Sequence, residues 1–143
     1  LSVGVGYKFS DQFSAQIGFH NYFDKNTEWG ETEGLIDNNY WELALGFEYN
    51  ISEQLLLSAG FLRAQTGVNK LAYNDDLSYS LSSNTFGLGG AYKINEMLTL
   101  QFGGYYTAYT PETLDYTVYT QKYEKTNMAI AIGLDFTFGG TGE

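Results

Sequence analysis

The chain has 143 residues, which is enough for one domain, and its 17 acidic side chains against 7 basic ones give a net charge of −10. A chain this acidic lacks the basic face that nucleic acid requires, and the absence of cysteine excludes a disulfide framework and a thiolate metal site. No stretch reaches the ~18 consecutive apolar residues of a membrane-spanning helix, and no basic-then-apolar signal peptide opens the chain.

Seven β-strands are predicted, because apolar residues alternate with small or polar ones at the two-residue period of a strand. In chain order they lie near residues 1–10, 13–23, 39–51, 54–65, 83–94, 97–109 and 126–138. Tight turns lie at one end of the strands, and long polar connections lie at the other, near residues 24–38, 66–82 and 110–125. The sequence starts as though already inside a strand, so we expect further chain before Leu1. Residues 1–138 are predicted to form a C-terminal β-barrel segment, and residues 139–143 a flexible tail.

An eight-residue phrase marks each tight turn: GYKFSDQF at residues 6–13, EYNISEQL at 48–55 and AYKINEML at 91–98. Its tyrosines, Tyr7, Tyr49 and Tyr92, are separated by 42 and 43 residues. The Ser-Asp, Ser-Glu and Asn-Glu pairs carry short polar side chains that bond to nearby backbone in turns. The repeat therefore counts hairpins, and a fourth copy stops at Phe138 before its turn.

The two faces of the strands differ in composition. One face is apolar, with aromatic residues at both ends: Tyr7, Phe9, Phe13, Tyr49, Tyr92, Phe136 and Phe138 beside the tight turns, and Tyr22, Tyr40, Trp41, Tyr105, Tyr106 and Tyr109 toward the long connections. The other face is mostly Gly, Ala and Ser with scattered charges, which suits a barrel interior better than a surface in water. Two aromatic girdles around an aliphatic band are typical of the lipid-facing surface of a transmembrane β-barrel.

The predicted fold class is therefore all-β: an antiparallel up-and-down transmembrane β-barrel of a bacterial outer membrane, with seven strands visible. Unpaired backbone groups are costly in hydrocarbon, and bacterial single-chain barrels have an even number of strands. The barrel is accordingly predicted to be incomplete, with at least one further strand on the N-terminal side. A soluble β-sandwich or a lipocalin-like barrel is the alternative that alternates in the same way.

The last strand, AIAIGLDFTF, ends in Phe138 and resembles the C-terminal signal strand of bacterial outer-membrane proteins, which implies the barrel-assembly machinery as a partner. More narrowly, LSVGVGYKFSDQFSAQIGF, FGLGGAYKINEMLTLQFGGYYT and TNMAIAIGLDFTF resemble the C-terminal half of the FadL/TodX-type outer-membrane transporters, particularly forms common among Bacteroidetes-like bacteria. The resemblance covers nearly the whole chain. It implies a fourteen-stranded barrel, plugged by an N-terminal hatch, that carries hydrophobic compounds such as long-chain fatty acids or aromatic hydrocarbons. The family's hatch and kinked early strand have no counterpart in this sequence, so no binding residue is carried over.

Strand parity and breaks in the alternation select the interior side chains that could contact a ligand: His20, Tyr22, Leu56, Leu62 and Tyr105. A hydrogen-bonded interior residue is the simpler interpretation of His20, the only histidine. The apolar members could hold a hydrophobic ligand, or pack against a plug or an inward-folded loop. Four interior charges lie near the tight turns: Lys8, Glu48, Lys93 and Asp135. They are expected to compensate one another, or to form a polar ring that biases passage.

No catalytic set, metal site or cofactor site is predicted, and we expect the protein not to be an enzyme. Catalysis by a lone histidine would need a nucleophile and an orienting carboxylate, and one histidine is a poor metal site. The first long connection is acidic, with Asp24, Glu28, Glu31, Glu33 and Asp37. It lacks the spacing of a Ca²⁺-binding EF-hand, so a solvated loop is favoured.

Two functions fit the pattern. The first is a segment of an outer-membrane transporter or channel for hydrophobic small molecules, whose partners are the lipid bilayer, the remaining barrel strands and a hatch. The alternative is a small eight-stranded OmpA/OmpX-like barrel with a structural or adhesive role for its extracellular loops.

Overall fold

A computed structural model describes residues 1–27, 34–74 and 79–138. The strands are β1 (Ser2–Lys8), β2 (Phe13–Asn21), β3 (Trp41–Asn50), β4 (Leu55–Gln65), β5 (Ser83–Lys93), β6 (Leu98–Tyr109), β7 (Glu112–Asp115), β8 (Thr120–Tyr123) and β9 (Thr126–Phe136). Seven of them form one sheet in the order β1-β2-β3-β4-β5-β6-β9, and β7 pairs with β8. Every pairing within this sheet is antiparallel, and its successive strands are neighbours, so it has the predicted up-and-down arrangement.

The cross-strand register sorts the side chains onto two faces. One row of partners crosses the sheet through Val5, Ile17, Leu45, Phe61, Phe86, Tyr106 and Met128. The next row runs through Gly6, Gln16, Gly46, Gly60, Gly87, Tyr105 and Ala129. Neighbouring residues of a strand point to opposite faces, so the two rows belong to opposite surfaces. We call these surfaces the apolar face and the small-residue face.

The tight turns that join β1 to β2, β3 to β4 and β5 to β6 share one chemistry. Ser10 Oγ accepts hydrogen bonds from the backbone N–H groups of Gln12 and Phe13 at 3.2 and 3.1 Å. Ser52 Oγ accepts from the matching N–H groups of its own turn at 3.2 and 3.2 Å, and Asn95 Oδ1 does so at 2.9 and 3.0 Å. The repeated phrase is therefore a turn signal, as its short polar residues indicated.

The aromatic girdle at the long-connection end is smaller than the sequence suggested. Trp41 and Tyr106 lie on the apolar face, because they share it with Leu43 and Phe86 by strand parity and pairing. Tyr109 pairs with Ser83 and therefore lies on the small-residue face. At the tight-turn end the girdle matches the prediction, with Tyr7, Phe13, Tyr49, Tyr92 and Phe136 on the apolar face.

The long connections contain structure that the alternation did not predict. Residues Asp24–Asn26 form a 3₁₀-helical turn, and Lys70–Tyr73 form a single α-helical turn, α1. The β7–β8 hairpin occupies much of the predicted loop at 110–125. The predicted tail, residues 139–143, lies outside the described residues. None of the described helices has the length and hydropathy that crossing a membrane requires.

The buried side chains lie at the long-connection end and not in the middle of the sheet. Among the described residues they are Ala64, Asn74, Ser82, Ser83, Thr107, Leu114 and Tyr123. Apolar residues in mid-sheet remain exposed, among them Leu88 at 73% and Ile130 at 79%. The packed core therefore forms where the connections meet, and the apolar face has no protein cover among the described residues.

The sheet is not closed. Its two edges are β1 and β9, and neither pairs with a further strand among the described residues. Strands that are neighbours in this sheet run in opposite directions, so β1 and β9, the first and seventh, run the same way. The predicted incomplete barrel is confirmed in this respect.

Candidate functional site

The small-residue face is the candidate site, because a groove of about 720 Å³ lies along it. Gly46, Gly60 and Gly87 are direct cross-strand partners on β3, β4 and β5 and form part of its floor. Glycine in a strand leaves bare backbone open to close approach. The groove offers space, and Glu48 is the one ionisable residue in its lining as far as the chain is described.

Some of these glycines are needed to admit a neighbouring side chain, and others leave free space. A Cβ atom at Gly46 would lie 2.8 Å from Gln16 Nε2, and one at Gly89 would lie 3.0 Å from Ser58 Oγ. A Cβ atom at Gly18 would meet nothing within 4 Å. Gly18 is therefore the position where added volume would fill the groove without displacing protein.

His20 lies on the small-residue face near the long connections. Its Nδ1 is 3.2 Å from Ser2 Oγ, and its ring centroid is 6.3 Å from that of Tyr22. It is also the cross-strand partner of both Ser2 and Glu42. His20 is thus hydrogen-bonded to Ser2 at the long-connection end of the small-residue face.

Two residues that the sequence did not select extend this cluster. Tyr40 donates a hydrogen bond from its hydroxyl to Glu42 Oε1 at 2.7 Å, and its ring lies 5.3 Å from that of Tyr22. Burial, followed by the hydrogen bond and charge of Glu42, raises the pKa of Tyr40 above its ordinary range. The backbone N–H of Tyr40 donates to Asp24 Oδ1 at 2.9 Å, which anchors the connection before β3. The two-residue spacing of Tyr40 and Glu42 was the available signal, because it places both side chains on one face.

The apolar candidates do not form one patch. Leu56 pairs with Asn50 and Ala91 near the tight turns, whereas Leu62 pairs with Ala44 and Thr85 near the long connections. The two leucines are six positions apart on β4, or about 20 Å at ~3.3 Å per residue. Tyr105 shares the small-residue face and pairs with Gly87 and Ala129. A ligand that touched Tyr105 or Leu62 would therefore lie well away from Leu56.

The four interior charges do not pair with one another. Lys8 Nζ lies 2.8 Å from Asp11 Oδ1 in its own turn, and this partner lowers the pKa of Asp11. Glu48 Oε2 accepts a hydrogen bond from Ser14 Oγ at 3.4 Å, and Asp135 Oδ2 accepts one from Gln101 Nε2. The charges sit on β1, β3, β5 and β9, and a polar ring remains a prediction.

No metal site is formed by the described residues, which contain no group of three or more His, Cys, Asp or Glu side chains that could hold an ion. Of the five acids in the first long connection, Asp24 and Asp37 are described, whereas Glu28, Glu31 and Glu33 lie outside the described residues.

The long connections fold together into what we call the loop cluster, residues 34–40, 66–74, 79–82 and 110–125. The carbonyl of Gly67 accepts hydrogen bonds from the N–H groups of Asp37 and Asn38 at 2.8 and 2.9 Å, which joins the first connection to the second. A salt bridge of 2.7 Å between Lys70 and Glu112 joins the second to the third. The cluster therefore ties all three connections together at the long-connection end of the sheet.

Comparison with known proteins establishes the fold. No family model matches the chain, and no curated sequence matches significantly. Among solved structures, the chain is similar to a Pseudomonas aeruginosa FadL homologue, with 16% sequence identity and a TM-score of 0.74. The match covers 96% of this chain and 35% of that protein, so the chain spans only part of its length. The resemblance to a FadL-type barrel wall is thereby confirmed at the level of the fold.

Proposed function

We propose that this chain forms part of the wall of an outer-membrane barrel that passes hydrophobic small molecules, such as long-chain fatty acids or aromatic hydrocarbons. One observation carries the proposal: an open sheet with the fold of a FadL homologue has an apolar face on one side and a groove of about 720 Å³ on the other. The apolar face would contact lipid, and the groove would form part of the passage.

The exposure of the apolar face supports a lipid surrounding. Leu88, Ile130 and Ile132 are 73%, 79% and 76% exposed, although they lie in mid-strand. Apolar surface left in water costs about 25 cal/mol per Å², so a continuous face of this kind calls for a nonaqueous contact. Phe138 is 81% exposed at the end of the last strand, where the barrel-assembly machinery would recognise it.

The strand directions specify what would complete the barrel. Since β1 and β9 run the same way, a second copy in the same orientation would place these edges parallel, and the antiparallel ladder could not continue. Closure therefore requires an odd number of further strands that begin and end in the opposite direction. We propose that these strands, and a hatch that fills the bore, come from chain beyond the seven strands described.

The passage can be tested by filling the groove. In the protein expressed from its complete gene, Gly18→Trp should reduce uptake of a fluorescent long-chain fatty acid or an aromatic hydrocarbon, because the indole would occupy open space in the groove. Leu134→Trp is the matched control, since Leu134 lies on the apolar face and is 62% exposed. Its added bulk should meet lipid and leave uptake unchanged.

Heat-modifiable gel mobility should show that both variants fold as barrels. Normal uptake by a folded Gly18→Trp variant would show that this groove is not the passage. An equal loss of uptake in both variants would also contradict the assignment of the two faces.

The second candidate, a small structural or adhesive barrel, is favoured by the folded loop cluster, since its buried residues make a defined surface. In that case the protein would confer no uptake of hydrophobic compounds above that of cells that lack its gene.

A further inference from the structure

Arg63 is a charged residue on the otherwise uncharged apolar face of the described strands. It pairs with Leu43 on β3 and Asn84 on β5, and its parity places it on the apolar face. Among the described strand residues of that face, it is the only one with a charged side chain. A charge on a lipid-facing surface is costly at the bilayer midplane and nearly free at the interface. The position of Arg63 along its strand therefore decides whether a lipid-facing charge is tolerated there.

The register places Arg63 near the long-connection end of the apolar band. Leu55, at the other end of β4, pairs with the girdle residue Tyr92. The eight positions between Leu55 and Arg63 span about 26 Å of strand, or about 20 Å along the axis of a barrel whose strands tilt by ~40°. The apolar band of such barrels is ~25 Å tall. Trp41 lies next to this level as the partner of Gln65, where an interfacial tryptophan is expected.

The guanidinium is oriented but not neutralised by the described residues. Its Nη1 donates to Asn84 Oδ1 at 3.2 Å, and its Nη2 donates to Gln65 Oε1 at 2.5 Å. Both acceptors are neutral amides, and the described ion pairs do not include Arg63. A guanidinium has five N–H donors, so three remain for another ligand. Planar, paired N–H groups match the oxygens of a phosphate.

We propose that Arg63, held by Asn84 and Gln65, binds the phosphate of an anionic lipid headgroup at the long-connection side of the membrane. The inference rests on the proposed placement of the apolar face in a bilayer. The chain has a net charge of −10, so its overall field repels anionic lipid, and any preference for such lipid beside Trp41 must be local.

Trp41 supplies the probe. The protein from its complete gene, with its other tryptophans replaced by Phe, is reconstituted in vesicles that contain brominated phosphatidylglycerol or brominated phosphatidylcholine. Quenching of Trp41 fluorescence gives the relative association constants of the two lipids. We expect a preference for phosphatidylglycerol of roughly fivefold, the effect of one cation near a membrane surface. Arg63→Gln should reduce the ratio to one or below, and Arg63→Lys should give an intermediate ratio.

Lys122→Gln is the control for net charge, because Lys122 lies on β8 and pairs with Glu124 at 2.9 Å. It should leave the preference unchanged. An unchanged preference in Arg63→Gln would overturn the inference. Absence of quenching by either lipid would instead show that the apolar face is not in the bilayer, and the proposed function would fail first.

Discussion

The sheet and the loop cluster differ in how far their apolar side chains are buried. In the sheet, apolar side chains such as Leu88 and Ile132 stay 73% and 76% exposed. In the loop cluster, Leu114 is only 4% exposed, Tyr123 is 6% exposed, and Asn74 is 3% exposed. The loop cluster builds a core of its own, as a protein does in water, whereas the apolar face of the sheet has no such cover among the described residues, which is the condition that the proposed contact with lipid requires.

The largest effect is expected where the loop cluster packs most tightly. Leu114→Ala should lower the free energy of opening of the β7–β8 hairpin by about 2–4 kcal/mol, because it removes a buried side chain and leaves a cavity. Amide hydrogen exchange of residues 112–123 measures this directly. Leu88→Ala on the apolar face is the control, and it should alter exchange little because Leu88 has few protein neighbours to lose. Similar losses for the two variants would remove the distinction between the regions.

The second largest effect is expected from alanine substitutions at one glycine in each region. A Cβ atom at Gly67 would lie 1.7 Å from the carbonyl oxygen of Asn38, whereas one at Gly18 would meet nothing within 4 Å. Gly67→Ala should therefore separate the first two connections, at a cost of about 1–3 kcal/mol.

The amides of Asp37 and Asn38 should exchange faster in Gly67→Ala, because their shared acceptor moves away. Gly18→Ala should leave exchange in both regions unchanged. Protection of these two amides at the wild-type level in Gly67→Ala would show that the contact between the connections is not formed in solution.

Ion pairs should contribute less to stability than the buried side chain or the close glycine contact. The Lys70–Glu112 pair has one half-buried partner, since the side chain of Glu112 is 19% exposed. A double-mutant cycle to Ala should give a coupling free energy of about 0.5–1 kcal/mol. The Lys122–Glu124 pair, with both side chains more than half exposed, is the control and should give a value near zero. Equal coupling free energies for the two pairs would contradict the conclusion that the Lys70–Glu112 pair links two connections.

The smallest effect is expected in the tight turn at Asp11. Lys8 lowers the pKa of this carboxyl by hydrogen bonding and by its charge. A lowered pKa in the folded state stabilises the protein above the ordinary pKa of Asp, and this stabilisation is lost as the pH falls through the lowered value. Lys8→Met should raise the pKa of Asp11 toward the ordinary value of an aspartate in an NMR titration, and Lys93→Met should not. A titration of Asp11 that is the same with and without Lys8 would exclude the pair.

The sheet was predictable because its signal is local. Alternation at period two located all seven of its strands, with ends that differ from the observed ones by at most two residues. The turns at Ser10, Ser52 and Asn95 were predictable for the same reason, since each side chain bonds to backbone two or three residues away.

Parity alone was a weaker guide to the candidate site. The sequence assigned Tyr105 both to the outer girdle and to the interior, and it assigned Tyr40 and Tyr109 to the outer girdle alone, whereas Tyr105 and Tyr109 lie on the small-residue face. Tyr40 lies outside the strands, and the bond from its hydroxyl to Glu42 fixes its direction. Parity also gave no indication that Lys8 contacts Asp11 in its own turn.

The sequence by itself determined the strands, the tight turns and the two faces, because each depends on residues close together in the chain. The tertiary structure decided the rest: the contact of Gly67 with Asn38, the β7–β8 hairpin, the Tyr40–Glu42 bond and the setting of Arg63 between Asn84 and Gln65. Most of these contacts join segments that are far apart in sequence, or depend on the register between strands. Composition and period carry no information about which of many polar partners a side chain will meet.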